Sequence, residues 1–207
     1  MTKSSQYSTP QEAFWAGDFG NEYIQRNQSE RLLVPKIAAW SQMLRTCAQL
    51  NSVAELGCNI GLNLMALSKL RPEIELQGVE INEAAAAAAQ KIKGAHVSVG
   101  TITEPLELSP ADLTFTAGVL IHVNPDKLRT VYENLVRNSN RYVLVAEYFD
   151  PNPVAITYRG HTDRLFKRDF AGELIDDFDL KLVDYGFFYK RDQLIPQDNI
   201  TWFLLEK

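Results

Sequence analysis

Apolar residues run along this chain in two alternating rhythms. Leu33, Ile37, Trp40 and Leu44 recur at helical spacing, which predicts a helix from Ser29 to Ala48. The rhythm then shortens. Ser52–Leu56 is a brief apolar run stopped by Gly57, the pattern of a buried strand. Ile60–Leu70 returns to helix, with Leu64, Leu67 and Leu70 on one face. The alternation continues through strands at Glu75–Glu80, Ala95–Val99, Asp112–Ala117 and Arg141–Ala146. Between them lie an alanine helix capped by Asn82 and a helix from Pro125 to Asn138. Residues 147–166 carry Pro151, Pro153 and Gly160 and read as a long irregular loop. Phe170–Ile175 is a short helix, and Lys181–Tyr185 and Thr201–Leu205 are closing strands with no helix between them. Upstream, Thr9 and Pro10 open a short helix bearing Phe14 and Trp15, a second begins near Tyr23, and residues 1–10 read as a frayed tail. The order predicts an α/β fold: a Rossmann-like, doubly wound, mostly parallel seven-stranded sheet with an antiparallel edge hairpin.

With 207 residues and no linker-like stretch, one domain is expected: an N-terminal helical lid over 1–48, a core over 49–150, and an acceptor loop with closing strands over 151–207. The net charge of −5 disfavours broad phosphate-backbone binding, so nucleic acid is not an expected partner. Cys47 and Cys58 form no metal or disulfide pattern, and no metal site is expected. There is no signal peptide and no apolar run near the roughly 20 residues of a membrane span, which together with the unpaired cysteines suits the cytoplasm.

In a doubly wound sheet, ligands sit beyond the C-terminal strand ends. The first such end reads Glu55-Leu-Gly57-Cys58-Asn59-Ile-Gly61, leading into a helix that carries Asn63. A dinucleotide cradle would place glycines at 57, 59 and 62; Asn59 and Leu62 stand there instead, which disfavours a nicotinamide-dependent reductase. Glu55 would repel a diphosphate and welcome an amino group. Glu80 ends the second strand, where an acid accepts hydrogen bonds from ribose hydroxyls. A ligand with a ribose, an ammonium and no phosphate matches both acids, and S-adenosyl-L-methionine is such a ligand.

These segments resemble class I S-adenosylmethionine-dependent methyltransferases. Glu55 to Gly61 looks like their first motif and Glu80, followed by Ile81, like their second. By that resemblance Gly100-Thr101-Ile102 holds adenine, and Gly118-Val119 and the segment to His122 lie beside the methionyl part. The pattern departs at Asn59, where many members have Gly, and at Thr101, where many have Asp. A narrower resemblance covers most of the chain. Phe14 to Asn27, Glu55 to Leu64, Gly118 to His122, Tyr158 to His161 and Leu165 to Asp169 are similar to the pseudaminic acid biosynthesis-associated methylase family. That resemblance implies a small polar acceptor, a nucleotide-activated or free acidic nine-carbon sugar or its precursor.

Methyl transfer to a hydroxyl or an ammonium needs a base. His122, Glu147 and His161 sit at strand ends or in the long loop and are the candidates; His96, inside the third strand, reads as structural. Tyr158, Arg159, His161, Lys167 and Arg168 are candidates for holding an anionic acceptor, since guanidinium groups pair with carboxylates and phosphates. Trp15 and Tyr23 either pack on the core or close over the site; Tyr23 and Asn27 are placed to reach the methionyl carboxylate. Another metabolite, a tRNA base, a protein side chain, or a binding role without turnover stay open, as do O- against N-methylation and a homodimer.

Overall fold

Local capping starts the fold. The computed structural model describes residues 7–27, 32–47 and 49–207. Helix α1 (Pro10–Ala16) is opened by Thr9, whose hydroxyl accepts the Glu12 N–H while the Glu12 carboxylate accepts the Thr9 N–H. Thr9 is buried, so the tail ends sooner than expected, and residues 1–6 lie outside the described residues. Helix α2 (Asp18–Asn27) begins ahead of Tyr23. Helix α3 (Leu33–Met43) is shorter than its apolar stripe suggested; Ser29 and Ala48 fall outside the described residues.

From there strands and helices alternate. They are β1 (Ser52–Leu56), α4 (Leu62–Leu70), β2 (Glu75–Glu80), α5 (Glu83–Ala89), β3 (Ala95–Val99), β4 (Ala111–Ala117), α6 (Leu128–Arg137) and β5 (Ser139–Glu147). Next come the short strands β6 (Val154–Ala155) and β7 (Phe166–Lys167), then α7 (Phe170–Phe178), β8 (Lys181–Phe188) and β9 (Ile200–Glu206). The main sheet has seven strands in the order β3-β2-β1-β4-β5-β9-β8. The first five run parallel, and β9 lies antiparallel between β5 and the edge strand β8.

Both faces of the sheet are covered, so its central strands are apolar on both sides. Along β5, Tyr142, Leu144 and Ala146 join one core with Trp40, Leu64, Phe115 and Trp202. Val143 and Val145 join the other with Val131, Leu135, Leu174 and Leu205. The alanines of α5 let that thin helix lie close to the sheet: Ala85, Ala86 and Ala89 are fully buried. His96 sits exposed on edge strand β3. The expected irregular loop is a small hairpin, β6–β7, with a further two-residue turn inside it. Tyr158 and His161 exchange backbone hydrogen bonds of 2.7 and 2.9 Å. Arg159 (φ 49°) and Gly160 (φ 85°) both lie in the left-handed region that such a tight turn requires.

Candidate functional site

The site begins where β1 ends. Gly57 turns the chain at φ 82°, and a Cβ there would fall 2.8 Å from the Val119 methyls. Asn59 also adopts positive φ, 49°, which asparagine tolerates better than most residues. Its N–H donates to Glu80 Oε2 at 2.8 Å, and its own Oδ1 accepts the Ile60 N–H at 2.7 Å. An asparagine locked by Glu80 thus makes the turn that a glycine would make in a dinucleotide loop. The other Glu80 oxygen accepts the Asn82 N–H at 2.8 Å. Burial raises the Glu80 pKa, and these backbone bonds work against that rise.

Glu55, on β1, is buried. Its Oε1 accepts Asn63 Nδ2–H at 2.6 Å, and Asn63 Oδ1 accepts the Trp40 indole N–H at 3.2 Å. Its Oε2 is buried with no hydrogen-bond partner among the described residues. Burial lifts the Glu55 carboxyl above the ordinary carboxylate range, opposed by the Asn63 hydrogen bond and the Lys36 charge.

A cavity of about 480 Å³ opens beyond these strand ends, where the sheet order reverses between β1 and β4. Glu55, Gly57, Cys58, Asn59 and Asn63 line it from the β1 side. Glu80, Ile81, Thr101 and Ile102 line it from β2 and β3, and Gly118, Val119 and His122 from β4. Trp15 and Tyr23 reach it from the N-terminal helices.

Other expected residues lie elsewhere. Gly61 is not part of the wall: a Cβ there would meet Ile92 Cδ1 at 2.4 Å and Ala89 at 3.1 Å, so it lets α4 pack beside α5. Glu147 is buried behind the β4 loop, where its carboxylate accepts the N–H groups of Val119 (3.1 Å) and Ile121 (3.5 Å). Arg168 pairs with Glu173 at 2.6 Å, and Lys167 stands over the Tyr148 ring. His161 is exposed, 5.4 Å from the Phe14 ring. The Tyr158 ring stands 5.3 Å from that of the wall residue His122. Arg159 stands over the rings of Phe19 and Tyr158 and makes no ion pair among the described residues. The side chain of Asn27 is outside what the structure describes.

The wall also holds residues that sequence reasoning missed. Lys36 lies four positions before the fully buried Trp40, hence on the same helix face. A lysine on an apolar stripe was the available signal. Burial lowers its pKa, while Glu55 and Asp198 raise it. Glu12 and Thr103 line the cavity too, and the Thr-x-x-Glu spacing of a capping box marked Glu12. Lys190, Gln197 and Asp198 come from the β8–β9 loop, which has no periodic pattern to read.

His122 has a fixed tautomer. Its Nδ1 lies 2.6 Å from the Arg164 carbonyl oxygen, which only accepts, so Nδ1 carries the proton and Nε2 the lone pair. Burial lowers its pKa to about 4 against the opposing pull of that hydrogen bond, leaving a neutral imidazole near pH 7. The Trp15 ring sits 4.7 Å away.

No family model matches the sequence, and no curated protein matches it. Solved structures do resemble it. Magnesium protoporphyrin IX methyltransferase from Synechocystis PCC 6803 with bound SAM superposes with a TM-score of 0.67 at 12% identity, over 98% of this chain and 99% of that one. The plantazolicin methyltransferase BpumL with SAH gives 0.64 at 15% identity, over 95% and 93%. An O-methyltransferase from a trans-AT polyketide synthase of Brevibacillus brevis with SAH gives 0.66 at 14% identity, over 97% and 80%. The chain therefore has the Rossmann-like fold of the class I SAM-dependent methyltransferases.

Proposed function

We propose that this chain is an S-adenosylmethionine-dependent methyltransferase acting on a small, polar, anionic sugar-type acceptor. One observation carries the cofactor reading. Glu55 Oε2 is buried without a hydrogen-bond donor, in the same cavity wall as the strand-end acid Glu80. A buried carboxylate oxygen in that state wants a donor, and an ammonium supplies one. Glu55 then holds the cofactor's amino group, Lys36 and Tyr23 meet its carboxylate, and Glu80 takes its ribose hydroxyls. Thr101 and Ile102 flank the base, and Gly118 and Val119 flank the methionyl chain. When bound, the cofactor supplies a methyl group on a sulfonium, ready for in-line displacement.

The protein's own work is alignment, exclusion of water and proton removal. His122 is the candidate base: its Nε2 lone pair is available at neutral pH, and its ring is held by the Arg164 carbonyl. Trp15, Phe19 and Tyr158 pack around it as an apolar cover. Glu147 is given no chemical role, since both its oxygens serve the β4 loop. The acidic-sugar acceptor draws support from the segments similar to the pseudaminic acid-associated methylases and from Arg159 near the Tyr158 edge of that cover.

Calorimetry with S-adenosylhomocysteine tests the first claim: binding is expected, and no heat at millimolar ligand overturns it. For the second, methyl transfer is assayed on free and nucleotide-activated nonulosonic acids. Arg159→Ala is expected to raise the acceptor KM about tenfold while moving the cofactor KM little. The reverse pattern removes Arg159 from acceptor binding.

A further inference from the structure

Glu12 is a carboxylate carried by the N-terminal helix α1 and planted against the end of β3. Its Oε1 accepts hydrogen bonds from the hydroxyls of Thr101 and Thr103, the latter at 2.5 Å. Its Oε2 accepts the Ser8 hydroxyl at 2.6 Å and the Thr9 backbone N–H at 2.9 Å. Burial raises the Glu12 pKa, but these hydrogen bonds outweigh it and bring it down to about 2. The group is therefore ionised and can only accept. Each threonine hydroxyl reaches Glu12 Oε1 and the two oxygens lie 2.9 Å apart, so both protons stay within this cluster. Toward any other neighbour the two hydroxyl oxygens present lone pairs alone, and both residues line the cavity. The Thr103 N–H, 3.1 Å from Thr101 Oγ1, already takes one lone pair in this way.

β3 is the immediate neighbour of β2, about 4.8 Å away. A nucleoside gripped through its ribose at Glu80, on β2, lays its base beside the end of β3. An acceptor-only surface there pairs with an amino group and repels a carbonyl. We propose that Glu12 is a positioning residue that orients the Thr101 hydroxyl to select an exocyclic amine on the bound base, accepting adenine and rejecting its 6-oxo counterpart. This rests on the nucleoside-cofactor reading above. Glu12 shares α1 with Trp15, whose ring covers His122, so base recognition and closure of the acceptor side are carried by one helix.

The test compares binding of S-adenosylhomocysteine with that of S-inosylhomocysteine, which has a carbonyl in place of the amine. The wild-type protein is expected to favour the adenosyl form about tenfold or more. Thr101→Val keeps the shape and removes the acceptor, so the ratio falls to near one. Glu12→Gln makes a sharper prediction. The fixed Thr9 N–H draws the amide oxygen to its side, which turns the amide NH2 toward the threonines. Their oxygens then accept from it, the Thr101 proton is released toward the cavity, and the preference shifts to the inosyl form. A Glu12 that only held α1 in place would weaken both ligands equally and leave the ratio unchanged. An unchanged ratio in Thr101→Val, which leaves the α1 cap intact, overturns the proposal while the cofactor reading stands. A wild-type protein that binds neither ligand overturns the cofactor reading and this inference with it.

Discussion

Glu80 and Glu83 stand three positions apart and share a charge, yet their surroundings differ. Glu80 is buried, accepts two backbone N–H groups and faces the cavity; Glu83 is exposed in the first turn of α5. Glu80→Ala removes the proposed ribose acceptor and the partner of the Asn59 N–H, whose residue sits at positive φ. Glu83→Ala removes a helix-dipole contact worth about 0.3–1 kcal/mol. Calorimetry should therefore show S-adenosylhomocysteine affinity falling about tenfold to a hundredfold in Glu80→Ala and staying near wild type in Glu83→Ala. Equal losses would remove the ribose assignment. The place of Glu80 at the end of the second strand was legible in the sequence because strand, turn and helix lengths are set by local geometry. That Asn59 replaces a glycine without loss of the turn was not. It depends on a hydrogen bond to Glu80, twenty-one residues away.

At the scale of elements, the sheet was readable because its strands are apolar runs stopped by Gly57, Gly100 and Gly118, and its helices carry caps at Thr9 and Asn82. What was not readable depends on contacts between distant segments. The β6–β7 hairpin is too short for a periodic signal, and the β8–β9 loop reaches the cavity with irregular backbone. Gly61 shows how the same residue supports two readings. Its place in the first motif suggests close approach to a ligand, but its missing Cβ makes room for Ile92 and Ala89 at the α4–α5 contact. Gly61→Ala adds both a left-handed strain of about 1–3 kcal/mol and a clash with Ile92. The expected result is a lower melting temperature, by roughly 2–4 °C for each kcal/mol lost, with S-adenosylhomocysteine affinity within about twofold of wild type. An affinity collapse at unchanged melting temperature would return Gly61 to the cofactor wall.

Across the whole molecule, the C-terminal strand ends gather buried acids. Glu80 and Glu147 close β2 and β5, Glu55 stands one residue before the end of β1, and burial raises the pKa of each, that of Glu147 to about 7. An acid whose folded pKa is raised favours the fold in its protonated form. Its contribution is present below the unfolded value near 4.3 and is lost as pH rises through the folded value. The ligand-free protein should thus lose stability from these groups as pH climbs toward neutrality and beyond. A cation placed on Glu55 reverses that loss at one site, because the pairing requires the ionised carboxylate. Binding of an ammonium ligand must then expel the Glu55 proton wherever the free protein still holds it. Between about pH 5.5 and 7, S-adenosylhomocysteine affinity should rise toward tenfold per pH unit, the slope set by release of one proton. Calorimetry in two buffers of different ionisation enthalpy measures that proton directly. In Glu55→Gln the affinity should be weaker and its pH dependence flat. The same pH dependence in the wild type and in Glu55→Gln would mean that Glu55 does not hold the amine, and would leave its buried oxygen without a ligand to explain it.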